Sequence, residues 1–333
     1  MSVVGVWRDA VERLTPVPAS ERQRYLALPP TREAHAGAHV DIAAMHQIEL
    51  VQPPRGSSFD RLRVAAWNLE RCLYPEEAAR ILARHHVDLA LLTEMDVGML
   101  RTGQVHTIGR LAAQLGHGYC YGLEFLELVS PLPPSGFPRN GDANTEAFHG
   151  NGIVTLLAIQ EPIVIRLDEK ADWYAQPKGD QRRIGNRMAV TAKFGAGKQG
   201  FVACSVHLEN HTDGAGRAAQ MRTLLDALDD YAAGLPVVVG GDLNTNVGPG
   251  GYDDAAEPLF ELASARGFDW AGCNVARATT RQSTWSEGEG TRQLDWFCTR
   301  CLTVCDPEVV PAIGEDGSVL SDHEMIVLTL QLD

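Results

Sequence analysis

Residues 235–244 read LPVVVGGDLN. Leu235–Gly240 is an apolar run of strand length with no polar alternation, the pattern of a strand buried on both faces. It ends in a glycine pair followed by Asp242 and Asn244. Working outward, Gly216–Ala233 reads as a long amphipathic helix, and Met188–Phe194 and Phe201–His207 as neighbouring strands. Further upstream, Leu62–Trp67, Asp88–Thr93 and Gly152–Ile159 are strand-length apolar runs. Between them, Pro75–His86 is a helix with Pro75, Glu76 and Glu77 suited to its first turn, and Thr107–Leu115 a helix closed by Gly116. Gln293–Cys298, Leu302–Val309 and Glu324–Leu332 are late strands. Strands mixed with helices, several at hairpin spacing, predict an α/β fold with mixed rather than purely parallel sheets. Residues 62–333 form one domain of catalytic size in this reading. Residues 1–61 form an N-terminal extension packed on it, with helical patterns at Val3–Leu14 and Ser20–Leu28 and a connector at Pro53–Ser58.

The 333 residues carry 29 Lys+Arg against 43 Asp+Glu, a net charge of −14, and 44% hydrophobic residues. The chain has ample material for a core, which excludes a disordered, collagen-like or coiled-coil protein. So acidic a chain repels polyphosphate at long range, so nucleic acid is a disfavoured partner. No apolar run approaches the length of a membrane span, so no integral membrane contact is expected. Charges at Arg8, Asp9, Glu12 and Arg13 argue against a signal peptide, and seven scattered cysteines fit a reducing compartment. The cytoplasm is the expected setting. Cys298, Cys301 and Cys305 lack a fourth ligand at metal spacing and read as small apolar fillers. No Walker-type loop or G-x-S-x-G elbow is present, which excludes nucleotide-driven motors and serine hydrolases.

Strand after strand ends in a side chain suited to metal or phosphate. Asn68 and Glu70 follow RVAAW, Glu94 follows LALLT, and His207 and Asn210 lie in VHLEN. Asp242 and Asn244 follow VVVGG, Asp295 lies in LDWF, and Asp322-His323 precede EMIVLTL. Each has a bland reading by itself: Asp242-Leu-Asn244 is a turn, Glu94 a solvated strand end, His207 a half-buried imidazole. Together they supply what phosphoester hydrolysis needs. Carboxylates at Glu94, Asp322 and Glu70 suit a hard divalent cation. Asp242, Asn244, His207, Asn210 and His323 are the types that activate water and stabilise phosphoryl oxygens.

In order and spacing, WN, LLTEMD, SVHLEN, GGDLN, LDWF and SDH resemble the endonuclease/exonuclease/phosphatase family of metal-dependent phosphoesterases, over about residues 62–333. The resemblance implies a four-layer sandwich: two mixed β-sheets packed face to face with helices outside. It implies Mg²⁺ or Mn²⁺ held at Glu94 and Asn68, with Asp322 and Glu70 on the metal side. It places Asp242 as the carboxylate that orients or deprotonates water, Asn244 and His207 at the phosphate, and Asp295 as partner of His323. Which group takes the proton stays open. Asn151, in HGNG, resembles a family segment lining the site, and Arg187 a strand arginine near the phosphate. Asn210 and Arg101 are further candidates for substrate contact, although a solvated loop is the simpler reading of Arg101 and His106. The implied activity is metal-dependent hydrolysis of a phosphoester by in-line attack of water. A small or lipid-like phosphodiester is the first expectation. A nuclease on single-stranded or damaged DNA or RNA, and a degenerate phosphate-binding scaffold, are the alternatives.

Overall fold

The computed structural model describes residues 4–54, 60–137, 139–177, 179, 181–195, 200–252, 254–287 and 292–331. Of the connector expected at Pro53–Ser58, only Pro53 and Pro54 are among them. One sheet has the order β1 (Gly5–Trp7), β8 (Gln160–Arg166), β10 (Met188–Phe194), β11 (Phe201–His207), β12 (Val237–Asp242), β13 (Asp295–Arg300). The other has the order β14 (Thr303–Val310), β15 (Met325–Gln331), β4 (Arg61–Arg71), β5 (Leu89–Val97), β7 (Phe148–Thr155), β6 (Gly118–Glu127), β3 (Gln47–Val51), β2 (Asp9–Val11). A short β9 (Arg183–Gly185) pairs with β6. Both sheets are mixed: β11–β12 and β4–β5 are parallel, while β12–β13 and β15–β4 are antiparallel.

Side chains alternate along a strand, so each sheet offers an inner and an outer face. Val64 and Ala66 of β4, Leu89 and Leu91 of β5, and Val190, Ala203, Val238 and Phe297 of the opposite sheet fill one cluster between the sheets. Ala65 and Trp67 point the other way, onto α3 (Pro75–Arg84), α4 (Thr107–Leu115) and the N-terminal helices α1 (Ala19–Ala27) and α2 (Arg32–Asp41). Val237 and Val239 pack outward on α6 (Gly214–Ala232) and α7 (Leu259–Ser264). A single turn, α5 (Asp172–Ala175), lies before β9. The layers are therefore helix, sheet, sheet, helix, as the resemblance implies. The glycine pair in GGD has a steric cause: a Cβ on Gly240 would lie 2.5 Å from the Phe297 ring, and one on Gly241, at φ 149°, would lie 2.0 Å from the Val206 carbonyl oxygen.

Val3–Leu14 is not helical. Its described part forms β1 and β2, which extend one edge of each sheet, with Val6 opposite Ile165 and Ala10 opposite Ile48. Unpaired strand edges offered a hydrogen-bonding partner that local periodicity does not reveal. β3 likewise comes from the first sixty residues, and α1 agrees with the helix read at Ser20–Leu28. The later helices and strands that were expected lie within a few residues of their expected ends, while β6, β8, β9, α5 and α7 were not expected.

Candidate active site

The inner-face alternation that builds the core also builds the site. Two residues beyond Ala66 comes Asn68, Val238 and Gly240 lead to Asp242, and Ala203 and Ser205 lead to His207. The register then sets His207 opposite Asp242 and Asp242 opposite Asp295, one row across three adjacent strands. Asp242 Oδ2 accepts from Asn68 Nδ2 at 3.0 Å and lies 3.5 Å from His207 Nε2 and 3.7 Å from His323 Nε2. Its Oδ1 accepts the backbone N–H of Asn244 at 2.9 Å. That is the bland turn contact, and it fixes the carboxylate without consuming Oδ2. Asn244 sits in the left-handed region (φ 50°) and donates its amide to the Leu208 carbonyl at 2.9 Å.

His323 is held on three sides. Its Nδ1 is 2.7 Å from Asp295 Oδ2, its N–H donates to Ser321 Oγ, and its carbonyl accepts from the Trp67 indole. Burial opposes the imidazolium. The Asp295, Asp242 and Asp322 carboxylates outweigh it and push the His323 pKa well up. Asp295 is fully buried with Oδ1 lacking a partner, and that burial pushes its own pKa up against the pull of His323.

The facing sheet contributes acids through a line of irregularities. The ladder shifts between Asn68 and Arg71, between Leu92 and Met95, and between Leu123 and Phe125. Glu70 and Glu94 take positive φ there, at 45° and 56°. Bulges of this kind re-aim side chains at a sheet end. Glu94 Oε1 accepts from Asn68 Nδ2 at 3.2 Å, so the Asn68 amide bridges Glu94 and Asp242. Burial works against the Glu94 carboxylate, but Arg71, His149 and His207 hold it below the usual range. Glu70 Oε2 accepts the Asp322 backbone N–H at 3.2 Å, and burial together with the Asp322 charge pushes Glu70 up to about 7. Asp322 is raised in turn by burial and by Glu94. Glu70, Glu94 and Asp322 act on one another's charge and offer oxygen donors of the type Mg²⁺ or Mn²⁺ takes, but among the described residues they are not a group whose ligand atoms lie within 4.8 Å of one another. Asp242, Asp295 and His323 are such a group, although the close His323–Asp295 contact engages that imidazole on its Nδ1 side.

Arg187 lies just before β10 and is buried. Nη1 is 2.9 Å from His207 Nδ1 and 3.2 Å from Glu124 Oε1, Nε donates to Glu209 at 3.3 Å, and Nη2 donates to Asn210 Oδ1 at 3.3 Å. Glu124 and Asp242 raise the His207 pKa against burial and the Arg187 charge. Asn210 is exposed at the rim. Asn151 is fully buried: it accepts the Glu94 backbone N–H at 3.4 Å and donates to the Met188 carbonyl, so it braces Glu94. Arg101 is not on a solvated loop. It is 3% exposed and grips Asp96 through Nε and Nη2 at 2.7 and 2.8 Å. His106 caps α4 by accepting from Gly109 N–H and lies 2.8 Å from Glu49. Sequence reasoning missed Arg71, Glu209 and Arg183, none of which carries a local signal. Glu124 stands out in the sequence as one of two acids in the buried strand GYCYGLEFLE.

Two stacked mixed sheets with acids, imidazoles and an arginine at one end of the cleft define an α/β sandwich with a site suited to phosphoryl chemistry. The chain belongs to the endonuclease/exonuclease/phosphatase family, whose sequence pattern matches residues 65–323. Family membership suggests a metal-dependent phosphoester hydrolase. No curated protein matches the chain in sequence. Among solved structures it is similar to an endonuclease/exonuclease/phosphatase from Beutenbergia cavernae, with 19% identity, TM-score 0.56, and 82% of this chain and 72% of that one covered. It is also similar to the human Nocturnin catalytic domain with bound sulfate (16%, TM-score 0.53, 86% and 97%) and to truncated TDP2 of Caenorhabditis elegans (17%, TM-score 0.51, 81% and 97%). Among the described residues no helix is long and apolar enough to cross a membrane.

Proposed function

We propose that this protein is a phosphodiesterase acting on a small or lipid-like phosphodiester, with Mg²⁺ or Mn²⁺ as cofactor. The observation that carries the reading is the row His207–Asp242–Asp295 facing Asn68 and Glu94 of the other sheet, with His323 and Arg187 at its two ends. Glu94, Glu70 and Asp322 would hold the cation, and Asn68 ties Glu94 to Asp242. When bound, the cation supplies positive charge to the phosphoryl and leaving oxygens. Asp242 orients the attacking water through Oδ2, because Oδ1 is engaged by the Asn244 turn. Asp295 holds His323 on its Nδ1 side, which turns Nε2 toward Asp242 and the reacting group. Arg187, His207 and Asn210 hold the non-bridging oxygens. The net charge of −14 favours a small ester over a polyanion.

The test is hydrolysis of bis(4-nitrophenyl) phosphate with Mg²⁺, with Mn²⁺ and with EDTA, beside single-stranded DNA and a phosphomonoester. Metal-dependent release of nitrophenol that EDTA abolishes supports the reading. Cleavage of DNA alone would replace it with the nuclease reading, and no turnover of any ester would leave a phosphate-binding scaffold.

A further inference from the structure

Beside Glu94 a cavity of about 230 Å³ opens between the two sheets, and four of its walls are guanidinium groups. We propose that this pocket, formed by Arg71, Arg101, Arg183 and Arg187, binds a second tetrahedral oxyanion: a phosphate monoester carried by the same substrate molecule whose ester bond is cleaved. The inference rests on the hydrolase reading above and names the substrate class more closely.

The charges are arranged in two shells. Glu94 is the one carboxylate among the described lining residues. The acids that neutralise the arginines stand behind them and are buried: Asp96 under Arg101, Glu127 at 3.5 Å from Arg101 Nη1 and 3.3 Å from Arg183 Nη2, Glu124 under Arg187. Guanidinium groups pinned from behind have their orientation set before a ligand arrives, which lowers the entropic cost of binding. Their donors are not used up. A guanidinium has five N–H groups, Glu127 makes no hydrogen bond at those distances, and the buried Nε of Arg183 has no partner. Arg71, at the shifted end of β4, stacks over Trp285 and makes no ion pair among the described residues. Trp173 forms a wall 4.5 Å from the Arg183 guanidinium.

Arginine rather than lysine is the residue for planar, paired recognition of oxyanions. Four of them at one cavity in a chain of net charge −14 is a local reversal of sign. Glu94, Arg187 and Asn210 belong both to this pocket and to the candidate active site. An anion held here is therefore adjacent to the phosphoryl group being attacked, which places both on one molecule.

Two measurements test the proposal. The first compares kcat/KM for two diesters that differ only in a terminal phosphomonoester or hydroxyl group. Wild type should prefer the phosphorylated one by about tenfold or more. Arg183→Gln and Arg71→Gln should each bring the ratio within about twofold, with thermal melting read in parallel to show that each is folded. The second is calorimetric titration of inorganic phosphate into metal-free wild type and the same variants in EDTA, which needs no catalysis. Binding by wild type that the variants lose, together with the substrate preference, supports the proposal. Phosphate binding without substrate preference makes the pocket a site for a free anion and overturns the same-molecule assignment. Neither binding nor preference overturns the pocket altogether. Phosphate binding with no hydrolysis of either diester refutes the hydrolase reading while leaving the pocket supported.

Discussion

Replacing Asp295 with Asn separates the role of a charge from the role of a shape. Asp295 is fully buried, its Oδ2 lies 2.7 Å from His323 Nδ1, and among the described residues its Oδ1 has no hydrogen-bond partner. Asn keeps the volume and can still bond Nδ1, so the core should tolerate it. Indeed burial disfavours the Asp295 charge, and its Oδ1 has no partner to lose. Stability should therefore stay within about 1 kcal/mol of wild type. Activity should not. A hydrogen bond to a charged group is worth about 1.5–3 kcal/mol, and about 1.4 kcal/mol is tenfold, so the lost charge predicts a fall in kcat of about 10–100-fold. An amide that donates to Nδ1 would also reverse the imidazole tautomer and deepen the loss. The sign of the pH effect follows. Asp295 is foremost among the carboxylates that raise the His323 pKa, so removing its charge lowers that pKa and moves the alkaline limb of the rate profile to lower pH. The assay is kcat against pH for both proteins at saturating Mg²⁺, with urea unfolding alongside. Unchanged kcat and an unmoved alkaline limb would refute the coupling of Asp295 to the chemistry, and a large stability loss would refute the packing account.

Glu94→Gln keeps the Asn68 contact but removes the charge facing Arg71; it should raise the metal concentration needed for half-maximal activity by tenfold or more, read by titrating Mg²⁺ and Mn²⁺. Asp96→Asn leaves buried Arg101 with the looser Glu127 as its one carboxylate partner among the described residues and should cost about 3–5 kcal/mol in urea unfolding. Glu209 is depressed to about 2, with Arg187 foremost in overcoming burial, and Asp96 to about 2, with Arg101 foremost. Their stabilisation is present above the ordinary carboxylate range and is lost as pH falls toward 2, so unfolding midpoints should drop between about pH 5 and 2. Glu209→Gln should flatten that slope.

The site was legible wherever a polar residue ends an apolar strand, because the two-residue repeat that buries Val238 also carries Asp242 into the cleft. Asn68 and His207 could be read the same way, whereas Asp295 opens its strand. The edges contributed by β1 and β2 could not, since Val3–Leu14 suits helix and strand alike until a partner edge is known. Nor could the fate of Arg101: its burial depends on Asp96 and Glu127, which bulged pairing brings to one place from separate strands. Charges buried against charges leave no pattern in hydrophobic periodicity, so Glu209 and Arg183 look solvated in the sequence.

The most direct test of where the chemistry sits is Mn²⁺ location by anomalous scattering in a crystal of the wild-type protein. The account predicts a peak in contact with the Glu94 carboxylate, between the sheets and facing Glu70 and Asp322. A peak enclosed by Asp242, Asp295 and His323, or none within reach of Glu94, would contradict it.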